Sequence, residues 1–135
     1  MNIVISIGGS LLTQSLTHEH FARYANAIKE LAKYHSIVVI CGGGKTAREY
    51  ISIAKDASRD ERDFVGIMAT HMNASALAYV IGKDAHLIKW KSLKEALREL
   101  KKVFGKKIVV GGGYDVGTST DYDAAIFAKA VKAKL

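Results

Sequence analysis

The sequence predicts an α/β fold in which a mainly parallel sheet carries helices on both faces. Three short runs rich in isoleucine and valine, residues 3–5, 37–40 and 108–110, have the composition of buried strands. Each run is followed by a glycine cluster and a helix-forming segment, and strands that alternate with helices pair in parallel through right-handed crossovers. We therefore expect the three glycine turns at one edge of the sheet, where open α/β sheets bind their ligands.

The first half of the chain is predicted as strand, helix, strand and two further helices. Residues 2–7 form the first strand, and Thr17 is placed to cap a helix whose apolar residues recur every three or four positions. Residues 36–41 form the second strand, and the glycines after it begin the next helix. The polar residues 55–63 are predicted as a loop, and residues 64–81, which are apolar on most sides, as a buried helix.

The second half is predicted as two strands that alternate with two helices. Residues 84–88 form a short strand, and Ser92 and Glu95 have the spacing of a capping box at the start of the next helix. Residues 107–111 form another strand, and residues 121–134 an alanine-rich helix that is apolar nearly all round. A buried helix of this kind leads back to a further parallel strand, so we expect part of the fold to be missing.

The composition is that of one globular domain, with 135 residues of which 49% are hydrophobic and 24% charged. There is neither a run of about 18 uncharged apolar residues nor a leader with a charged and an apolar region, so we expect no transmembrane helix, no signal peptide and no membrane partner. The single cysteine, Cys41, excludes an intrachain disulfide and fits a cytoplasmic location. The net charge of +7 is concentrated between residues 83 and 107 without an aromatic platform, so nucleic acid is not an expected partner.

The glycine turns are candidate phosphate sites. Glycine lets a ligand approach the backbone closely, and a helix that begins there presents free N–H groups and a partial positive charge. Lys45 and Thr46 after the second cluster suggest a P-loop, but that motif needs another glycine where Val39 stands. No cluster matches the G-x-G-x-x-G dinucleotide motif, and the histidines lack the spacing of metal ligands. The sequence therefore indicates phosphate binding without either nucleotide motif, and no metal site.

Four segments, taken in order, carry a family resemblance. They are Ile7-Gly8-Gly9-Ser10, residues 42–50 from Gly42 to Tyr50, residues 63–74 from Asp63 to Ala74, and residues 112–125 with Thr120 and Asp121. Their order and spacing resemble the archaeal-type uridylate (UMP) kinases of the amino acid kinase fold along essentially the whole chain. The resemblance implies a three-layer sandwich and a single domain over residues 1–135. This domain would be the N-terminal, acceptor-binding portion of such a kinase without its C-terminal donor half.

The resemblance implies transfer of the γ-phosphoryl group of ATP to UMP, giving UDP for pyrimidine nucleotide biosynthesis, with Mg²⁺ accompanying ATP. It assigns UMP binding to Gly43, Asp63, Tyr114, Asp115, Val116, Gly117, Thr118, Ser119 and Thr120. It assigns ATP and phosphate binding to Gly8, Gly9, Ser10, Gly44 and Arg48, and catalysis to Lys45, Gly9 and Ser10. Phosphoryl transfer needs positioning and charge stabilisation more than a base, and backbone N–H groups and cations supply both.

The chain departs from the family pattern at three positions, and these departures leave alternatives open. Ser6 stands where many relatives in the wider fold carry a lysine, which makes Lys45 the candidate cation for the transition state. Val116 stands where a proline is common, and Asp115 adds a negative charge beside an expected anion site. The acceptor of a kinase of this fold could therefore be another small phosphate or a carboxylate. A non-catalytic nucleotide-binding subunit that depends on a partner chain is the remaining alternative.

The resemblance also carries expectations about activity and assembly. Because the donor half is absent, the chain by itself is expected to bind UMP or phosphate and not to turn over ATP efficiently. The other half would belong to a longer kinase or to a separate partner chain. Kinases of this fold usually form dimers or higher oligomers, so a homo-oligomer is expected.

Overall fold

The computed structural model describes all 135 residues, and a four-stranded sheet lies at its centre. The strands are β1 (Asn2–Ile7), β2 (Ser36–Cys41), β3 (Ala85–Leu87) and β4 (Ile108–Gly111). They lie in the order β1-β2-β4-β3, and every neighbouring pair is parallel. The predicted α/β class with a mainly parallel sheet is therefore confirmed.

Helices cover both faces of this sheet. They are α1 (Gly9–Leu12), α2 (His18–Ala32), α3 (Gly44–Ile53), α4 (Arg59–Ile81), α5 (Leu93–Val103) and α6 (Thr120–Ala130). One hydrophobic cluster joins Phe21 of α2 and Leu77 of α4 to Val39 of the sheet. A second cluster, on the opposite face, joins Phe127 of α6 to Val38. Because successive strand residues point to opposite faces, these two clusters make the three-layer sandwich that the sequence predicts.

The predicted strands are found within one residue of their expected ends. The helix cap predicted at Thr17 is also present, since its hydroxyl accepts the backbone N–H of His20 at 3.2 Å. Cys41 ends β2 with no exposed surface, and burial raises the pKa of its thiol to about 12. This cysteine is therefore a small apolar core residue and not a reactive thiol.

The prediction of a loop over residues 55–63 is wrong at its C-terminal end, because α4 begins at Arg59. Ser58 caps this helix by accepting the N–H of Glu61 at 3.2 Å, and the Glu61 carboxylate accepts the Ser58 N–H at 3.1 Å. Arg59, Asp60 and Glu61, which suggested a loop, form the exposed first turn of the helix. A capping box was thus present in the sequence at residues 58–61 and was not recognised there.

α4 is long and apolar enough, by length and composition alone, to cross a membrane. Half of its apolar stretch is nevertheless buried inside this protein, where Ala74, Leu77 and Ile81 pack in the cluster against the sheet. The core helix of a globular domain has the same composition. We therefore describe α4 as a core helix.

The last helix is shorter than the predicted residues 121–134. It ends at Ala130, and the chain turns back through Lys132, whose φ is +52°. Lys134 then pairs in parallel with the outer edge of β1: its N–H donates to Asn2 O at 3.0 Å, and its carbonyl accepts from Val4 N–H at 2.8 Å. The return to the sheet that a buried helix requires therefore begins within residues that the sequence analysis assigned to the helix.

Candidate active site

Strands β1, β2 and β4 end side by side, so their glycine turns meet at one edge of the sheet. Ile7 lies opposite Cys41, and Ile40 lies opposite Gly111. Gly9 lies so close to the second turn that a Cβ atom on it would overlap backbone atoms of residues 42–44. The first two turns therefore pack backbone against backbone, which only glycine permits at this position.

Two buried polar side chains fix these turns. The Thr13 hydroxyl donates to Gly9 O at 2.7 Å and accepts the N–H of Lys45 at 3.2 Å. The side-chain amide of Asn73, on α4, donates to Gly42 O at 2.8 Å. The start of α3 is thereby held in place from two sides, with its first-turn N–H groups at the sheet edge. A helix N-terminus held in this way favours an anion.

A cleft of about 450 Å³ lies between α3, α4 and the segment that joins β4 to α6. Its lining includes eight residues that the sequence predicted as site residues: Gly43, Gly44, Arg48, Asp63, Gly117, Thr118, Ser119 and Thr120. Another cavity, of about 350 Å³, lies at the opposite edge of the sheet between lysine side chains and contains none of the predicted residues. The structure thus brings more than half of the predicted residues together in one cleft beside the glycine turns.

Residues 112–119, which we call the acceptor loop, are attached to α4 by three hydrogen bonds. Asp63 Oδ2 accepts the N–H of Gly117 at 3.1 Å, and Thr70 Oγ1 accepts the N–H of Gly113 at 2.8 Å. His71 Nε2 lies 2.5 Å from Gly113 O, and burial lowers the pKa of this histidine. A neutral ring that donates from Nε2 fits both observations. Gly117 has φ +86°, a left-handed conformation that favours glycine, so the loop can turn towards Asp63.

The charge of the cleft is positive. Arg48 and Arg59 both line it, and neither forms a salt bridge with a carboxylate of the protein. Asp63 is the single carboxylate in the lining. The two guanidinium groups and the start of α3 favour an anionic ligand. The Asp63 carboxylate favours a ligand that also carries hydrogen-bond donors.

Arg59 is the main residue of the cleft that the sequence analysis missed. It was placed in the predicted loop, whereas it belongs to the first turn of α4. The signal that could have found it is its spacing from Asp63: residues four apart on a helix share one face. Once residues 59–63 are assigned to a helix, it follows directly that the Arg59 cation lies beside Asp63, the carboxylate predicted to bind UMP.

The model of the amino acid kinase family matches residues 1–135. This chain belongs to the amino acid kinase family. The uridylate kinase of Methanococcoides burtonii is 44% identical over 100% of this chain and 57% of that protein, and the uridylate kinase of Methanosarcina mazei is 39% identical over 100% of this chain and 58% of that protein. The family resemblance stated from the sequence is therefore confirmed.

Solved structures of related proteins match the fold. The crystal structure of uridylate kinase from Archaeoglobus fulgidus superposes with a TM-score of 0.84 at 38% identity, covering 98% of this chain and 60% of that one. UMP kinase from Ureaplasma parvum superposes with a TM-score of 0.77 at 23% identity, covering 98% of this chain and 66% of that one, which indicates a common fold. The chain thus spans a little more than half the length of the curated relatives that it matches.

Three predicted UMP-binding residues do not line the cleft. Tyr114 is 1% exposed, and its hydroxyl donates to Ile88 O at 2.9 Å in the core. Asp115 faces away from the cleft, because its Oδ1 accepts the N–H of Leu93 at 3.0 Å at the start of α5. Val116 is exposed on the acceptor loop outside the cleft lining. The negative charge that the sequence placed beside the anion site is therefore engaged at a helix start instead.

The remaining predicted residues lie outside the cleft lining, three of them at the first glycine turn and Lys45 in the first turn of α3. Ser10 is joined to the cleft because Arg48 Nη1 donates to its hydroxyl at 3.3 Å. Gly8 and Gly9 precede it at the start of α1. The Lys45 side chain is 71% exposed, and its ammonium group lies 3.8 Å from Glu49 on the same helix.

Proposed function

We propose that this chain supplies the acceptor-binding portion of a UMP kinase, in which the γ-phosphoryl group of ATP is transferred to UMP to give UDP. One observation carries the proposal: the cleft combines two unpaired arginines, a helix N-terminus and one carboxylate in a chain whose relatives are named uridylate kinases. The same acceptor step belongs to pyrimidine nucleotide biosynthesis. We also propose a cytoplasmic location, as the single buried cysteine suggests.

The phosphate of UMP would lie between Arg48 and the start of α3. Gly43 and Gly44 leave the backbone open to a close ligand, and Arg48 is oriented by its contact with Ser10. A guanidinium group binds a phosphate through two parallel N–H bonds, which fixes its direction as well as its charge. Gly8, Gly9 and Ser10, at the adjoining turn, would face the transferred phosphoryl group.

The ribose of UMP would lie against Asp63. Its Oδ2 atom accepts from Gly117 N–H, and its Oδ1 atom has no protein partner, which leaves an acceptor for a ribose hydroxyl. The uracil would then lie along Gly117, Thr118, Ser119 and Thr120, while Tyr114, Asp115 and Val116 would act by shaping the acceptor loop behind it. We separate the residues that would touch uracil from those that shape the loop by the contacts that each residue makes.

Lys45 is proposed as the cation that stabilises charge on the transferred phosphoryl group. Its backbone is fixed at the start of α3 by Thr13, and its long side chain is exposed and held only by an ion pair in solvent. Exposed pairs of this kind contribute little energy, so an anionic ligand can displace Glu49. Replacing Lys45 by Met would lower the rate of transfer more than the affinity for UMP.

ATP is the proposed donor, and Mg²⁺ would arrive with it as its counter-ion. The chain contains no group of three or more His, Cys, Asp or Glu that could hold a metal ion, so we derive no step through a protein-bound metal. ATP turnover is proposed to require the donor half, supplied by a longer chain or by a partner. The chain by itself would bind UMP without efficient turnover of ATP.

We also propose that the chain forms a homo-oligomer through the outer face of α4. From Phe64 to Ile81 this helix carries no Asp, Glu, Lys or Arg, although Phe64, Met72 and Tyr79 are 40%, 62% and 70% exposed. An exposed apolar stripe of this length is typical of an interface. Sedimentation equilibrium would show a smaller assembly for Met72→Glu than for the control Gln14→Glu, which adds the same charge at an exposed position elsewhere. Equal masses for both variants would contradict the interface.

Calorimetric titration of site variants tests the acceptor cleft. Arg48→Ala is expected to raise the Kd for UMP about ten- to a hundredfold, because a charge-assisted hydrogen bond contributes about 1.5–3 kcal/mol. Asp63→Asn is expected to weaken UMP without weakening inorganic phosphate, since the ribose is proposed to lie against Asp63 and the phosphate between Arg48 and the start of α3. Equal loss of both ligands in Asp63→Asn would contradict the assigned orientation.

The second candidate function is a kinase of the same fold with another small phosphate or carboxylate acceptor. Val116, in the place of a common proline, is the observation that favours it, because the backbone of the acceptor loop is then less restricted. Comparison of UMP with a sugar phosphate in the same titration separates the two functions.

A further inference from the structure

We propose that Asp123 is a positioning residue for the acceptor: its buried carboxylate holds the two ends of residues 114–118 together from behind and thereby sets the affinity of the cleft for UMP. This inference rests on the proposed function, because it assigns a role within the same cleft. Asp123 itself does not line the cleft and would not touch the ligand.

The carboxylate of Asp123 connects two parts of the acceptor loop. Its side chain lies in the first turn of α6 with 0% exposure. Oδ2 accepts the backbone N–H of Tyr114 at 3.3 Å, and Oδ1 accepts from the Thr118 hydroxyl at 3.3 Å. The same hydroxyl also lies 2.9 Å from Asp115 O, so its single proton is shared between the two acceptors.

The loop is therefore held from two opposite sides by carboxylates with different exposure. Asp63 binds Gly117 N–H through Oδ2 at the cleft, where a ribose hydroxyl would share the same carboxylate through Oδ1. Asp123 binds the loop from the core, where no ligand reaches. When UMP engages Asp63, the contacts of Asp123 would keep Gly117 and Thr118 in the lining. Preorganised groups bind more tightly because less ordering is required on binding.

The surroundings of Asp123 explain why its ionisation matters. The groups with ionisable side chains that face it are Asp115 and Tyr114, both on the loop, and it forms no salt bridge. The hydrophobic cluster under α6 contains apolar side chains of β1, β2 and α5, for example Val4, Ile40 and Leu100. Burial, the largest cause, raises the pKa of Asp123 to about 6. The carboxylate is thus charged at neutral pH and becomes neutral in mild acid, where it is a weaker acceptor.

Amide hydrogen exchange of the full chain tests the contact without any ligand. In Asp123→Asn, one side-chain oxygen remains for two donors, so Tyr114 N–H is expected to exchange about tenfold faster at pH 7.5. Asp121→Asn, in the same helical turn but bonded to Ser6 at 2.6 Å, is the matched control and should leave Tyr114 unchanged. When the loop opens locally and Asp123 stays buried, the carboxylate loses the hydrogen bonds from Tyr114 and Thr118 that lower its pKa, so acid favours this opening although it stabilises the fold as a whole. In the unmodified chain, the protection of Tyr114 relative to an unstructured peptide should therefore fall between pH 7.5 and pH 5. Protection that is unchanged both in Asp123→Asn and across this pH range would overturn the proposal, and the second measurement needs no variant to fold.

Calorimetry with UMP tests the consequence for the acceptor. The Kd of Asp123→Asn is expected to exceed that of the unmodified chain about three- to tenfold at pH 7.5, and this ratio should approach one at pH 5. Taking the ratio removes the titration of the UMP phosphate, which is common to both proteins. A ratio of one at pH 7.5, or a raised ratio independent of pH, would overturn the role in acceptor affinity. If neither protein binds UMP while Tyr114 exchange still responds to Asp123, the proposed function fails and the contact behind the loop stands.

Discussion

Removal of the buried charge at Asp123 is expected to change how the stability of the protein depends on pH. Burial raises the pKa of this group to about 6, from an ordinary value of 3.8. Between these values the folded protein binds the proton more tightly than the unfolded chain. The contribution of this group to stability is therefore present in acid and is lost as the pH rises through about 6.

The magnitude follows from the difference between the two pKa values. About two pKa units correspond to about 3 kcal/mol over the full range, of which about 2 kcal/mol falls between pH 4.5 and pH 7.5. Asp123→Asn has no proton to bind. Its free energy of unfolding minus that of the unmodified chain should therefore be about 2 kcal/mol larger at pH 7.5 than at pH 4.5, so the variant is relatively more stable at the higher pH.

Urea unfolding at these two pH values provides the assay. Trp90 is the single tryptophan, and its ring meets Phe64 edge to face at 5.4 Å, so its fluorescence reports loss of the native packing. Circular dichroism should give the same transitions if unfolding is two-state. Asp121→Asn, measured at the same two pH values, shows how much of the pH dependence of stability comes from other ionisable groups. A stability difference between Asp123→Asn and the unmodified chain that does not change with pH would refute the reasoning.

Three further predictions concern the turns and the cleft. Gly9→Ala should cost about 3 kcal/mol of stability in urea unfolding, because its Cβ atom would overlap backbone atoms. The control Gly8→Ala should cost little, because nothing lies within 4 Å of the new Cβ atom. Equal losses in the two variants would contradict the backbone packing. Ser58→Ala should cost about 1 kcal/mol by the same measurement, through loss of the cap on α4, and no loss would mean that the capping bond contributes nothing. Arg59→Ala should weaken UMP binding about tenfold in calorimetry, and the control Arg62→Ala, outside the cleft lining, should not; matched affinities would remove Arg59 from the site.

The strands could be predicted from short sequence patterns because neighbouring residues mark where each strand ends. The β-branched runs end at glycines, and the strands of the structure end at the same residues or one position away. The end of α6, in contrast, is not marked by neighbouring residues. Alanine continues the helical pattern beyond Ala130, but the backbone leaves the helix to pair Lys134 with β1, more than a hundred positions away in the chain. Such a long-range pairing has no signal in the neighbouring residues.

The sequence predicted the candidate site residues whose position follows from the path of the backbone. It did not predict the direction in which side chains point. Parallel strands bring their glycine turns to one edge, so Gly43 and Thr120 could be placed at the same edge from the alternation of strands and helices. The direction of Tyr114 could not, because an aromatic residue after a glycine turn suits a ligand pocket and a core equally well. The structure resolves this in favour of the core, where its ring stacks on Phe127 at 5.7 Å. Asp115 was misplaced for a similar reason, since a helix start elsewhere in the chain provides its partner.

The most direct test of the central claim is calorimetric titration of the chain with UMP, beside CMP, AMP, ATP with Mg²⁺ and inorganic phosphate. The account predicts saturable binding of UMP, weaker binding of AMP, and weak or absent binding of ATP. Arg48→Ala in the same titration should remove most of the UMP signal, because its guanidinium is proposed to hold the phosphate. Failure of UMP to bind, or binding of UMP that survives Arg48→Ala without loss, would contradict the claim that this cleft is an acceptor site.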